Sequence, residues 1–163
     1  FRQAYETGMA RKLGFGQWQA DDTVLVEDLF NLMTSESTDF TLTFRRLADL
    51  AEEGAAPGGG VDALFEFPAA FSPWLARWQA RLAAEPLAAT TRQAGMYAAN
   101  PVFIPRNHLV EEALKAAVEQ HDFAPFQQLV DILERPFTCR PELARYATPP
   151  RPEQVVRQTF CGT

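Results

Sequence analysis

The apolar positions along the chain recur at helical spacing, segment after segment, and no stretch alternates apolar and polar residues as a half-buried strand would. Phe1, Tyr5, Met9 and Leu13 step by four and predict a first helix, with Gly14 as its stop. Asp21 or Asp22 is expected to cap a second helix, whose apolar face is Leu25, Leu29, Leu32 and Met33, widened by Val26 and Phe30. Thr38-Asp39 opens a third, carrying Phe40, Phe44, Leu47, Ala48 and Ala51 and ending near Gly54. GAAPGGG, Gly54 to Gly60, reads as a surface loop, and Val61 to Phe67 is a short apolar segment whose type the pattern leaves open. Ser72-Pro73 has the form of a helix start, Ser as cap and Pro at the first helical position, with Trp74, Leu75, Trp78 and Leu82 as the buried stripe. Arg77 and Arg81 lie off that stripe and read as a solvated face.

A further helix, roughly residues 87–98, leads into Asn100-Pro101, where the proline biases Asn100 away from helix. Val102, Phe103 and Ile104 are extended, and Pro105 suits the first turn of the next helix. There Leu109, Val110, Ala113, Leu114, Ala117 and Val118 predict one buried stripe, with Glu111 and Lys115 paired on the opposite face. Leu114→Ala is accordingly expected to cost ~2–5 kcal/mol. After His121-Asp122, the residues Phe126, Leu129, Val130 and Leu133 form a final long helix stopped by Pro136. Five prolines from Pro136 to Pro152 forbid another long helix, leaving an extended tail with short turns around Glu142–Tyr146 and Glu153–Arg157. The expected fold is all-α: an irregular helical bundle over residues 1–135 and a proline-rich extended tail over 136–163.

Charge and composition narrow the function. The net charge is −6 with no block of like charges, which argues against a nucleic-acid or anionic-membrane binder. No apolar run approaches ~18 residues. The chain opens mid-helix at Phe1 without an initiator Met, so it is expected to be a piece of a longer polypeptide. Two cysteines cannot staple 163 residues, which makes a reducing cytoplasm the expected compartment.

Candidate chemistry is sparse. The Gly54–Gly60 loop lacks the Gly-Lys-Ser/Thr of a phosphate loop and has no preceding strand. His108 and His121 stand thirteen apart without zinc-like partners and read as helix-surface and helix-end histidines. Asp21, Asp22, Asp28 and Asp39 are explained by capping and solvation, and Trp18, Trp74 and Trp78 by the core. Cys161 is different, since Phe160-Cys161-Gly162-Thr163 carries a thiol on a tail that Gly162 lets swing. It is a redox candidate, with an incidental tail cysteine as the alternative. Cys139, between Pro136 and Pro141, is expected to pack against the bundle and to react later than Cys161.

Five ordered segments resemble the C-terminal region of the selenoprotein O (SelO/YdiU) family. They are Met9 to Gly14, Asp39 to Leu47 with Phe40 in place of the usual Tyr, Asn100 to Leu114 (NPVFIPRNHLVEEAL), Arg135-Pro136-Phe137 and the terminal Phe160-Cys161-Gly162-Thr163. The resemblance implies the C-terminal part of a kinase-like fold, a pseudokinase that transfers AMP rather than phosphate from ATP to protein hydroxyls, supported by Mg or Mn. Its nucleotide and metal residues belong to a region not found here, so no catalytic, cofactor or metal residue is assigned in this chain, which is expected to be inactive alone and to bind no ATP. The implied partners are the kinase-like region of the same polypeptide and the protein substrates, with no nucleic acid and no membrane. The resemblance also implies that Cys161 can pair with a cysteine of the catalytic region, a partner not found in this chain unless Cys139 substitutes for it, and so make activity redox-dependent. The competing reading is a self-contained helical module that binds a partner peptide or helix.

Overall fold

The computed structural model describes residues 1–51, 60–61, 64–65 and 68–156. Among them every regular element is helical and no strand is present. The Gly54–Gly60 loop falls outside the described residues except at Gly60, as do Cys161 and the end of the second predicted tail turn. Two compact units divide the chain, Phe1–Asn100 and Pro101–Thr163.

In the first unit, α1 (Arg2–Leu13) packs against α3 (Phe40–Leu47) and α5 (Ala89–Ala99), while α2 (Asp22–Ser35) packs against α4 (Pro68–Ala83). Gly14 ends α1 in the left-handed region at φ 78°, donating its N–H to the Ala10 carbonyl. A Cβ there would also lie 2.7 Å from Met96 Sδ, so the stop is glycine for conformation and for space. Asp39 caps α3, its Oδ1 accepting the Leu42 N–H at 2.8 Å. A single 3-10 turn, Ala48–Leu50, follows and buries Ala48 and Leu50.

The start of α4 corrects the sequence reading. The helix begins at Pro68, which leaves Pro73 inside it rather than at its first position. The extra turn brings Phe71 into a run of rings, 4.4 Å from Phe65 and 5.4 Å from Trp74, with Trp78 a further 6.2 Å on. Stacked burial of this kind outweighs one backbone hydrogen bond lost at Pro73. Both buried indoles are satisfied: Trp74 Nε1 donates to Leu25 O at 2.7 Å and Trp78 Nε1 to Leu13 O at 3.0 Å. The core therefore ties α4 to α1 and α2 by direction as well as by area.

In the second unit, Val102 and Phe103 are buried, and both donate their N–H to the Pro136 carbonyl, at 2.8 and 3.1 Å. Helix α6 (Asn107–Gln120) starts two residues after Pro105, so that proline precedes the helix instead of entering its first turn. His121 ends α6 in the left-handed region at φ 54°. The three residues 121–123 then return the chain into α7 (Ala124–Leu133), forming an antiparallel hairpin. The tail makes a 3-10 turn at Pro141–Leu143, the short α8 (Ala144–Ala147), which buries Tyr146, and a second 3-10 turn at Pro152–Gln154.

The predicted stripe of α6 is only half realised. Leu109 and Ala113 are buried, but Leu114 and Val118 are exposed at 47% and 75%. The stripe is wider than the single partner α7 can cover, so Leu114 does not face the core. The predicted Glu111–Lys115 pair is also replaced, since Lys115 lies 4.0 Å from Glu119.

Candidate functional site

The acidic residues singled out from sequence are structural. Asp22 does not cap α2, nor does the Asp21 side chain. Asp22 is buried, accepts the Gln19 N–H at 2.7 Å, and takes two hydrogen bonds from Arg81, at 2.8 and 3.1 Å. Arg81 also donates to Glu85 and to the Gln17 carbonyl, each at 2.8 Å, and its guanidinium stacks 4.6 Å from the Phe15 ring. Arg81 is thus no part of a solvated face. The signal was present in the four-residue spacing of Arg81 and Glu85, but their meeting with Asp22 is a tertiary contact. Burial alone raises the pKa of Glu85, but the Gly16 N–H, Arg81 and the Gln17 N–H more than offset it, leaving the carboxyl below its ordinary range. Arg77 pairs with Asp28 at 2.5 Å on the surface.

Three of the family-like segments converge on a second polar knot. Asn100 is buried, and its side chain donates to Lys12 O at 2.9 Å and accepts from Lys12 Nζ at 3.2 Å. Arg45 closes the end of α5 by donating to the carbonyls of Tyr97 and Asn100, both at 3.1 Å. Lys12, Arg45 and Asn100 come from the segments Met9–Gly14, Asp39–Leu47 and Asn100–Leu114, so these segments meet to satisfy helix ends. Arg92, buried beside them on α5, does the same for Gly14 O and Leu82 O.

In the second unit the histidines sit at opposite ends of α6, roughly 20 Å apart by helical rise, and cannot share an ion. Among the described residues no group of three His, Cys, Asp or Glu is placed to hold a metal. His108 borders a cleft of about 420 Å³ together with Glu112, Arg145, Arg151 and Gln154. Arg145 is ion-paired to Glu112, and Arg151 meets Glu153 at 3.1 Å, so both lining arginines are engaged. Burial lowers the His108 pKa, as do the Arg106 and Arg145 charges, while Glu112 opposes them.

Cys139 is exposed, which corrects the expectation that it packs. The Pro136 carbonyl and the Arg140 side chain hold this stretch: Arg140 donates to Ile132 O at 2.7 Å and stacks 5.2 Å from Phe103. With its neighbour turned inward, Cys139 points out, and its exposure gives no reason for it to react later than Cys161. Cys161 itself, the redox candidate, lies outside the described residues.

Sequence comparison relates the chain to known proteins. The family model described as "Protein adenylyltransferase SelO" matches residues 1–134. The whole chain is 51% identical to "Protein nucleotidyltransferase YdiU" of Rhodopseudomonas palustris (strain BisB18) and 48% identical to the protein of that name in Rhizobium meliloti (strain 1021). In both cases the chain spans 33% of the relative's length.

Proposed function

The chain belongs to the protein adenylyltransferase SelO family, and from that premise we propose that it is the C-terminal helical scaffold and regulatory segment of a polypeptide that transfers AMP from ATP to protein Ser, Thr and Tyr. In this reaction a substrate hydroxyl attacks the α-phosphorus, pyrophosphate leaves, and the hydroxyl proton passes to a base. The catalytic base and the residues binding ATP and Mg or Mn lie upstream of Phe1. No step of the reaction is assigned to a residue of this chain. The observation that carries the reading is the family match over residues 1–134 in a chain one-third the length of its relatives. The polar knots support a scaffold role, because Asp22, Arg81, Asn100 and Arg92 all hold helix ends and loops.

Cys161 is the regulatory element in this proposal. By exchange with a small disulfide oxidant, which leaves as two thiols, it forms a disulfide with a cysteine of the catalytic region, and a thiol reductant reverses it. Bacterial relatives and the lack of any long apolar helix among the described residues support a cytoplasmic setting. The polypeptide's partners are its own kinase-like region and its protein substrates, with neither nucleic acid nor membrane.

The test follows the label of ATP. The full-length polypeptide should transfer label from the α-phosphate, not the γ-phosphate, to protein. The 163-residue chain alone should transfer neither and show no micromolar ATP site by calorimetry. Transfer of the γ label by the full-length protein, or a micromolar ATP site on this chain, would contradict the proposal. Cys161→Ser should abolish the dependence of AMP transfer on reductant while preserving the reduced rate.

A further inference from the structure

Helices α6 and α7 run antiparallel, with Leu109 and Ala113 of one and Leu129 and Ile132 of the other turned inward. At about 100° per residue, Leu114 and Val118 lie about 100–140° around α6 from Ala113. Phe126 and Val130 lie about 60–100° around α7 from Leu129, in the same rotational sense. Because the helices are antiparallel, equal rotations from the shared seam carry both sets to the same side of the hairpin. That side is therefore one continuous apolar face, with Phe123 at its turn. Exposure is 47% at Leu114, 75% at Val118, 62% at Phe123, 50% at Phe126 and 38% at Val130.

The other side of the hairpin is already covered. Val102, Phe103 and Tyr146 belong to the same core cluster as Leu109 and Leu129, and Arg145 beside Tyr146 pairs with Glu112 across from the bare side. A helical layer that is apolar on both faces belongs in the middle of a three-layer packing, and here one outer layer is missing. The charged residues Glu111, Lys115 and Asp131 fall at the margins of the bare face. Depletion of charge at the centre is the compositional mark of the core of a protein interface.

We propose that this α6–α7 face docks on the part of the same polypeptide that this chain lacks. The proposal rests on the SelO reading above and names the surface through which the segment joins the rest of the protein. The relatives carry about two-thirds of their length beyond the matched third, enough to furnish a folded outer layer. A two-helix face of this breadth suits such a layer better than a single bound peptide, which needs a groove.

Leu114→Asp/Val118→Asp tests it in two settings. In the 163-residue chain the double variant should cost only what two substitutions on a largely exposed helix face cost, because both side chains already meet solvent. In the full-length polypeptide it should lower the melting midpoint by roughly 5 °C or more. Sedimentation equilibrium of the wild-type 163-residue chain should give a monomer. A full-length protein that tolerates the double variant would overturn the proposal, as would a 163-residue chain that loses as much stability to it as the full-length protein does. A 163-residue chain that dimerises until the variant is introduced would assign the face to a second copy and also overturn it. AMP transfer by the wild-type full-length protein is measured alongside. Its absence would refute the SelO-type activity while leaving the melting result to decide the docking face.

Discussion

Both units are assembled from amphipathic helices, yet they use their apolar stripes differently. Residues 1–100 close most of theirs on one another: Trp74, Trp78, Phe44, Phe71, Leu13, Leu29 and Leu47 are all essentially without exposed surface, while Phe1 and Tyr5, Val24 and Phe40 stay exposed at separate helices. Their polar groups close as well, with the indoles, Asn100, Arg92 and Asp22 each bonded across elements. Among the described residues of the second unit a smaller set is buried, Val102, Phe103, Leu109, Ala113, Leu129, Ile132 and Tyr146, and five large apolar side chains on α6, α7 and the turn between them are exposed side by side. The contrast teaches that helical periodicity specifies a face to be covered, while the identity of what covers it depends on the neighbours a chain can supply. A unit of some sixty residues has little surplus stability with which to leave apolar surface bare.

The largest expected effect lies in the first unit. Trp78→Ala should cost about 3–5 kcal/mol, since it opens a cavity and removes the donor to Leu13 O. Urea unfolding followed by the remaining tryptophans measures it, and a cost below about 1 kcal/mol would break the picture of a closed core. Arg81→Ala should follow at about 3 kcal/mol, because it strands the Asp22 carboxylate at a buried position. Restoring stability with Asp22→Asn in the Arg81→Ala background would confirm that the stranded charge is the cause.

Acid separates the units without mutation. His108 has a folded pKa below its ordinary 6.5, so the unfolded chain takes up its proton first. The second unit should therefore lose stability as pH falls below about 6.5, levelling off once the folded form is protonated too. Glu85 is depressed from its ordinary 4.5, so its contribution is intact above that value and lost only as pH falls through the lower folded pKa. Between pH 7 and 5 the second unit should weaken while the Glu85 contribution to the first stays constant, read by parallel melts at both pH values. A His108→Gln variant should flatten the second unit's response.

The smallest effect is at Leu114. With that side chain 47% exposed, Leu114→Ala should cost under about 1 kcal/mol in this chain, against the several expected had it faced the core. Thermal melts of the two proteins decide it.

These results also mark how far the sequence could be read. Helix ends governed by local chemistry were legible: Gly14 and Asp39 act through their own side chains, or the lack of one, and α5 stops at Asn100 because Pro101 follows it. Ser72-Pro73 misled because a ring stack on Phe65, distant along the chain, extended α4 by a turn. Arg81 misled for a related reason, since Asp22 is fifty-nine residues away. At Leu114 the pattern did report a surface made for burial, but a periodicity does not say whether the covering layer lies within the same 163 residues. The family resemblance, carried by short segments, reached the identity that periodicity could not. Of those segments, three meet at the Lys12–Arg45–Asn100 knot, a convergence visible only once the helices are packed.

The difference between a closed first unit and an open second one is tested most directly by unfolding the wild-type chain in urea with two probes. Trp18, Trp74 and Trp78 all lie within residues 1–100, so tryptophan fluorescence reports that unit, whereas far-ultraviolet circular dichroism reports the helices of both. The dichroism should begin to fall at lower urea, with the loss of α6 and α7, while the fluorescence is still native. Coincident transitions with one midpoint would contradict it.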